Sequence, residues 1–215
     1  DIPLKLNHTV SKIIGKDRLE GVVISEVDKN RKPIPGTEEH IACDTLLLSV
    51  GLLPENELSK KAEVQLSPVT GGAEVDEGRE TNIDGIFACG NVLHVHDLVD
   101  NVTEESYLAG RAAAKYLKGS RQESEVLLIE AGEGVRYTVP KQIAAASVEK
   151  SLDVYFRVAD IYKDHYISVY FDDLRVIHQK KRILTPGEMA AARLTAFMLS
   201  KYKDCKKIQV KVEKE

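Results

Sequence analysis

The stretch from Thr81 to Asn91, T-N-I-D-G-I-F-A-C-G-N, constrains the fold of this chain more than any other. Ile86, Phe87, Ala88 and Cys89 stand between Gly85 and Gly90, which predicts a short buried strand that stops at a glycine. With no Cβ at Gly90, the backbone can come close to a ligand. The polar Asn91 then stands at the strand's carboxyl end, where the crevice of an α/β fold opens. After a polar loop the pattern predicts a helix over Thr103–Leu117. Thr103 is its expected N-cap, Glu104 and Glu105 lie at the positive end of the dipole, and Lys115 lies near the other end. The run Ala109-Gly110-Arg111-Ala112-Ala113-Ala114 would let this helix lie close against a sheet or a ligand, and Gly119 ends it.

Upstream, Leu19–Val27 is rich in β-branched residues, Ile41–Val50 is an apolar run, and the turns at Gly15-Lys16-Asp17 and at Pro33–Gly36 give an antiparallel meander over residues 4–50. The charged segment Asp28–Lys32 is the expected hairpin tip. Leu46-Leu47-Leu48-Ser49-Val50 is too continuous for a half-exposed strand and predicts one buried on both faces. Residues 118–125 (KGSRQESE) are polar and form the expected linker. Beyond them Val135–Val139, Leu152–Val158, Tyr166–Phe171 and Ile208–Val212 read as strands of a small sandwich-like domain. Thr185-Pro186-Gly187-Glu188 has capping-box spacing, which favours a short helix over 189–199, although Arg193-Leu194-Thr195 alternates like a strand. The expected organisation is α/β over 1–119, with 1–43 and 44–119 as its two parts, followed by a β-rich C-terminal domain over 124–215.

Composition excludes several classes. The 30 basic and 34 acidic residues leave a net charge of −4, so a phosphate-tracking nucleic-acid binder is not expected. No apolar run reaches the roughly 18 residues that span a bilayer. Cys43, Cys89 and Cys205 form no C-x-x-C, which argues against a disulfide scaffold or a zinc knuckle and fits a reducing cytoplasm. The chain opens Asp-Ile-Pro, without Met or a signal core, and reads as a piece cut from something longer.

Three ordered segments carry a family resemblance. Thr81–Asn91 resembles the second FAD-binding signature T-x-x-x-G-I-F-A-x-G-D, and Asp44–Pro54 (DTLLLSVGLLP) resembles the crossover strand D-x-x-x-x-A-x-G-x-x-P. Asn101-Val102-Thr103, opening the small-residue helix, is similar to the element that faces the flavin pyrimidine. All three belong to the pyridine nucleotide-disulfide oxidoreductase superfamily of two-dinucleotide-binding flavoproteins. The resemblance implies a partial Rossmann-like FAD/NAD(P)-binding region, with FAD and NAD(P)H as cofactors. It implies contacts from Gly51, Gly90 and Asn91 to FAD phosphates or ribityl, and from Asn101, Val102 and Thr103 to the pyrimidine edge. Asn91 stands where the family has Asp. No G-x-G-x-x-G occurs, so by the family's order both phosphate loops are expected upstream of residue 1. The implied function is the C-terminal part of an FAD-dependent NAD(P)H oxidoreductase that passes electrons to a partner acceptor. As an isolated chain it is expected to be inactive.

The extra C-terminal domain resembles bacterial proteins that accompany anaerobic glycerol-3-phosphate-dehydrogenase-type systems. That points to a partner dehydrogenase subunit or a homodimer, and an alternative reading makes the domain a non-catalytic docking module. His94-Val95-His96-Asp97 has two imidazoles at i, i+2, but with Cys89 it shows no coherent ligand spacing, and no metal is expected. This loop reads either as a flavin- or substrate-facing segment or as plain surface. Cys89 reads as a small packed residue, since no base adjoins it. Lys180-Lys181-Arg182 reads as a solvated face or a docking spot for an acidic partner. Tyr155, Phe156, Tyr162, Tyr166, Tyr170 and Phe171 read as sandwich core and rim. No catalytic residue is singled out.

Overall fold

Residues 2–51 form an antiparallel meander, β1 His8–Ile14, β2 Gly21–Glu26 and β3 Glu39–Ala42, in that spatial order. The computed structural model describes residues 2–119 and 125–215. The register runs from His8 opposite Glu26 to Ile14 opposite Gly21, and β3 pairs on the other side of β2. As the central strand, β2 is the buried one, with Val22 and Ile24 inside. The tip at 28–32 is exposed as expected, and Asp28 accepts hydrogen bonds from the Asn30 and Lys32 amides. The described residues form two compact units, one up to Gly51 and one from Leu52 on.

The expected buried strand at Leu46–Val50 is not one. No strand forms there, and Leu47, Leu48 and Val50 are 90%, 66% and 89% exposed. A strand that is apolar on both faces needs neighbours on both sides, and the described residues place none against it.

In the second unit, residues 52–119 are built mostly from loops, with a short helix α1, Glu57–Lys61, and a long one, α2, Val99–Leu117. Gly85–Gly90 does not form the expected strand. It makes a single bridge, Glu80 to Phe87, and ends in a 3₁₀ turn at Gly90–Val92. Helix α2 begins four residues before Thr103. The N-cap position is Leu98, with no side-chain cap, and Thr103 Oγ1 instead donates to the Val99 carbonyl inside the helix (3.1 Å). Most of the expected linker, residues 120–124, lies outside the described residues.

Residues 125–215 form two facing sheets. One is five-stranded, in the order β6 Gln142–Ala144, β4 Val126–Ala131, β11 Lys207–Glu213, β8 Tyr162–Phe171, β9 Leu174–Leu184. The other runs β10 Ala190–Thr195, β7 Ser151–Val158, β5 Val135–Val139. Strict alternation in β7 and β11 directs Leu152, Val154, Phe156 and Val158 against Ile208, Val210 and Val212. Burying each such side chain contributes about 1.5–3 kcal/mol. Phe156 and Phe171 lie in the core and the tyrosines are half-buried, but Tyr155 faces away from the sandwich core because β7 alternates it outward. Residues 189–199 resolve into both forms. Strand β10 pairs with β7 from Ala190 opposite Phe156 to Thr195 opposite Ser151, and a helix α3, Ala196–Lys201, follows. The helix preference of three alanines yields because the strand buries Ala192 and Leu194.

A smaller core of Val64, Ala73, Val75, Ala88 and Leu93 includes Val139 of β5. The loop-rich residues 52–119 therefore share packing with the β-rich part. The fold is an α/β region carrying a β-meander, followed by a β-rich sandwich.

Candidate functional site: a carboxylate hub beneath two histidines

Glu105 lies on the buried stripe of α2, in line with Val102 and Ala109, and its side chain is 0% exposed. A charge so placed must be paired and hydrogen-bonded. Four donors meet it. Arg79 Nε (3.0 Å) and His94 Nε2 (3.3 Å) approach Oε1, while the Gly90 amide (2.8 Å) and His96 Nε2 (2.9 Å) approach Oε2. That fills the roughly four lone-pair positions of a carboxylate. Burial alone would raise the Glu105 pKa, but the hydrogen bonds from His94 and His96 and the Arg79 charge outweigh it and hold the carboxyl far below its ordinary range.

Each donor is brought there by local geometry. Asp76 Oδ1 accepts from the Gly78 and Glu80 amides, closing a tight turn that holds Arg79 in the left-handed region (φ 68°) and sends its guanidinium inward. Gly90, at φ 71°, turns the chain and donates its amide, and a Cβ there would stand 3.3 Å from Val102 Cγ1. The 3₁₀ turn continues into His94, whose amide bonds the Gly90 carbonyl (3.2 Å). Asn56 Nδ2 holds the same turn through the Val92 carbonyl (2.7 Å).

The histidines are not surface residues, since both side chains are 1% exposed. Their rings stack edge to face at 4.3 Å. With Nε2 of each facing Glu105, the network places a proton on Nε2 of both rings. Burial lowers the His94 pKa against the pull of Glu105. Both Nδ1 atoms and Arg79 Nη1 are buried without a hydrogen-bond partner.

His94, His96 and Glu105 offer three ligand atoms within 4.8 Å of one another, a set that could surround a metal ion. The Arg79 guanidinium already sits on that carboxylate, and neither Nδ1 has the acceptor that orients a metal-binding imidazole. The arrangement is that of an ion-paired hydrogen-bond hub.

The β-rich part reaches this loop directly. Arg157 Nη2 donates to the Val95 carbonyl (3.0 Å) and to Asp97 Oδ1 (2.5 Å), and its Nη1 donates to the Pro186 carbonyl (3.1 Å). Asp97 Oδ2 accepts from the Met189 amide. Tyr155 lies 6.0 Å from the His94 ring and 6.3 Å from the His96 ring, and Tyr137 lies 6.1 Å from His94.

Of the residues singled out from sequence, Gly90, Asn91, Asn101, Val102 and Thr103 belong to one neighbourhood, around the 3₁₀ turn and the first turns of α2. Asn91 is exposed, and its Oδ1 accepts from the His96 amide (3.2 Å). Gly51, at φ 107°, ends the first unit, and a Cβ there would meet no atom of the described residues within 4 Å. Arg79, Tyr137 and Arg157 were not singled out from sequence, while Glu105 reads there only as a partner of the helix dipole and Tyr155 only as sandwich core and rim. The one available signal was a charged residue on the small-residue stripe of α2.

Residues 1–106 match the family described as pyridine nucleotide-disulphide oxidoreductase. The chain is 28% identical over 117 residues to thioredoxin reductase of Treponema pallidum (strain Nichols), covering 54% of this chain and 35% of that protein. It is 30% identical over 90 residues to ferredoxin–NADP reductase of Picrophilus torridus, covering 42% of this chain and 25% of that protein. Among solved structures it is similar to thioredoxin reductase of T. acidophilum, with a TM-score of 0.46 at 24% identity over 56% of this chain and 37% of that one. The chain thus spans about a third or less of the curated relatives named here.

Proposed function

With residues 1–106 carrying the pyridine nucleotide-disulphide oxidoreductase domain as premise, we propose that the chain is the C-terminal part of an FAD-dependent NAD(P)H oxidoreductase. The observation that supports this most is the meeting of the signature glycine, Gly90, with the first turns of α2. Gly90 gives a backbone free of Cβ, and the first amides of α2 have no side-chain cap, so a negative or electron-rich edge is welcome there. FAD bound there would supply hydride and electron transfer, and the chain's own groups would orient it. Asn101, Val102 and Thr103 would line its pyrimidine edge. Since His96 occupies Asn91 Oδ1, Asn91 would meet a ribityl hydroxyl through its Nδ2 donors. Gly51 would lie against the phosphates. The chain holds no C-x-x-C, so electrons would leave for a partner subunit or for a dithiol upstream of residue 1.

The phosphate loops are proposed to be encoded before Asp1, and reading those residues tests the proposal first. Two G-x-G-x-x-G fingerprints are expected, and their absence would overturn it. A protein that includes them should keep flavin through desalting, and NAD(P)H should bleach its visible band. Colour should return when an external acceptor is added. The 215-residue chain alone should emerge colourless after mixing with FAD, and a stoichiometric yellow product would defeat that expectation.

A further inference from the structure

We infer that Arg157 is the positioning residue of the His94–His96 pair, so that the β-rich part sets the tautomer of two imidazoles carried by the loop-rich part. The inference rests on contacts within residues 52–215 alone and stands whether or not a flavin binds.

Strand β7 makes this arrangement through its period of two. Leu152, Val154, Phe156 and Val158 fill the sandwich, so Asp153, Tyr155 and Arg157 stand on the opposite face of the three-stranded sheet. From that face Tyr155 covers both imidazoles, and Tyr137 of the neighbouring strand β5 covers His94. Arg157 grips the peptide between the two histidines through the Val95 carbonyl and grips the residue after them through Asp97. The guanidinium suits this task because it is planar and carries several donors in fixed directions. Its other arm holds the Pro186 carbonyl, and the Met189 amide closes the ring on Asp97, so the clamp is itself anchored at two points of the 185–189 turn.

The clamp bears on the histidines from the side where Tyr155 and Tyr137 pack against the rings without offering them a hydrogen bond. Each ring has one nitrogen on Glu105 and the other buried without a partner. The hydrogen bonds to Glu105 determine where the proton sits, and the loop geometry determines whether each Nε2 reaches that carboxylate. If Val95 and Asp97 are released, the loop can shift and let a ring flip present Nδ1 to Glu105 in place of Nε2.

The test is a long-range proton–nitrogen NMR experiment on the ¹⁵N-labelled chain, which reports which ring nitrogen carries the proton. In the native chain His94 and His96 should both show Nε2-protonated rings with slowly exchanging ring N–H signals. Arg157→Ala should abolish both slow signals and mix the tautomers, while the amide signals of β8 and β11 keep their positions. Arg157→Lys should also lose them, because one ammonium cannot reach Val95, Asp97 and Pro186 together. Should Arg157→Ala fail to fold, Asp97→Ala removes the same anchor from the other side and should give the same loss. Retention of both signals in any folded one of these variants would overturn the inference. So would native rings protonated on Nδ1, or rings whose ring signals shift together on adding one equivalent of zinc.

Discussion

Glu105 has little freedom, because a carboxylate with four donors tolerates no donor in its place. Glu105→Gln would present an amide N–H₂ to one pair of those donors and leave the Arg79 charge buried and unpaired. Breaking one side of a buried pair costs about 3–5 kcal/mol, and a loss of this size in urea unfolding is expected. The pH dependence of the native chain follows from the same groups. The folded pKa of His94 is lowered, so its contribution is complete above pH 6.5 and fades as the pH falls below that value. The Glu105 pKa is lowered too, so its contribution is complete above about 4.5 and drains away with further acid. Melting temperature should therefore rise from acid towards neutral pH in two stages, and Glu105→Gln should lack the lower one. At this scale the sequence was half legible. The two histidines and the glycine stood out within a few residues of each other. Arg79 and Glu105 stand 26 residues apart, and only the fold brings them together.

Elements were most legible where an apolar inner face alternates with a more polar outer one. The alternation of β5, β7, β8 and β11 announces them because each lies on a sandwich with one inner face. Legibility failed where a neighbour overrode local preference. The alanines of 190–192 favour helix, but the open edge of β7 recruits them as a strand, and helix begins only at Ala196. Thr103 looks like a cap, but α2 runs past it to Val99 because Asp97, one residue before the Leu98 cap position, is fastened by Arg157 and Met189. The real capping threonine is Thr195, whose Oγ1 accepts from the Met198 amide (3.2 Å). Thr195→Ala should lower stability by about 1 kcal/mol, read in urea unfolding, with no effect on the histidine tautomers.

At the scale of the molecule, the apolar run Leu47, Leu48, Val50 lies open to water. Patches of this kind mark surfaces that something else covers, and in the proposed reading the dinucleotide-binding segments do so. The 215-residue chain should bind a hydrophobic dye such as ANS strongly, and Leu47→Ser with Leu48→Ser should reduce that signal without changing the melting of the β-rich part. Among the described residues, no helix is long and apolar enough to cross a membrane. Strand β11 carries a different consequence. It lies in the interior of the five-stranded sheet, parallel to β4 and antiparallel to β8, with Ile208 and Val210 fully buried. During synthesis β4 leaves the ribosome some eighty residues before its partner, so the sheet waits with an unfilled slot between β4 and β8. Until residues 207–213 emerge, the nascent chain offers two unpaired strand edges to any passing β-strand, and its escape from aggregation depends on how fast translation finishes.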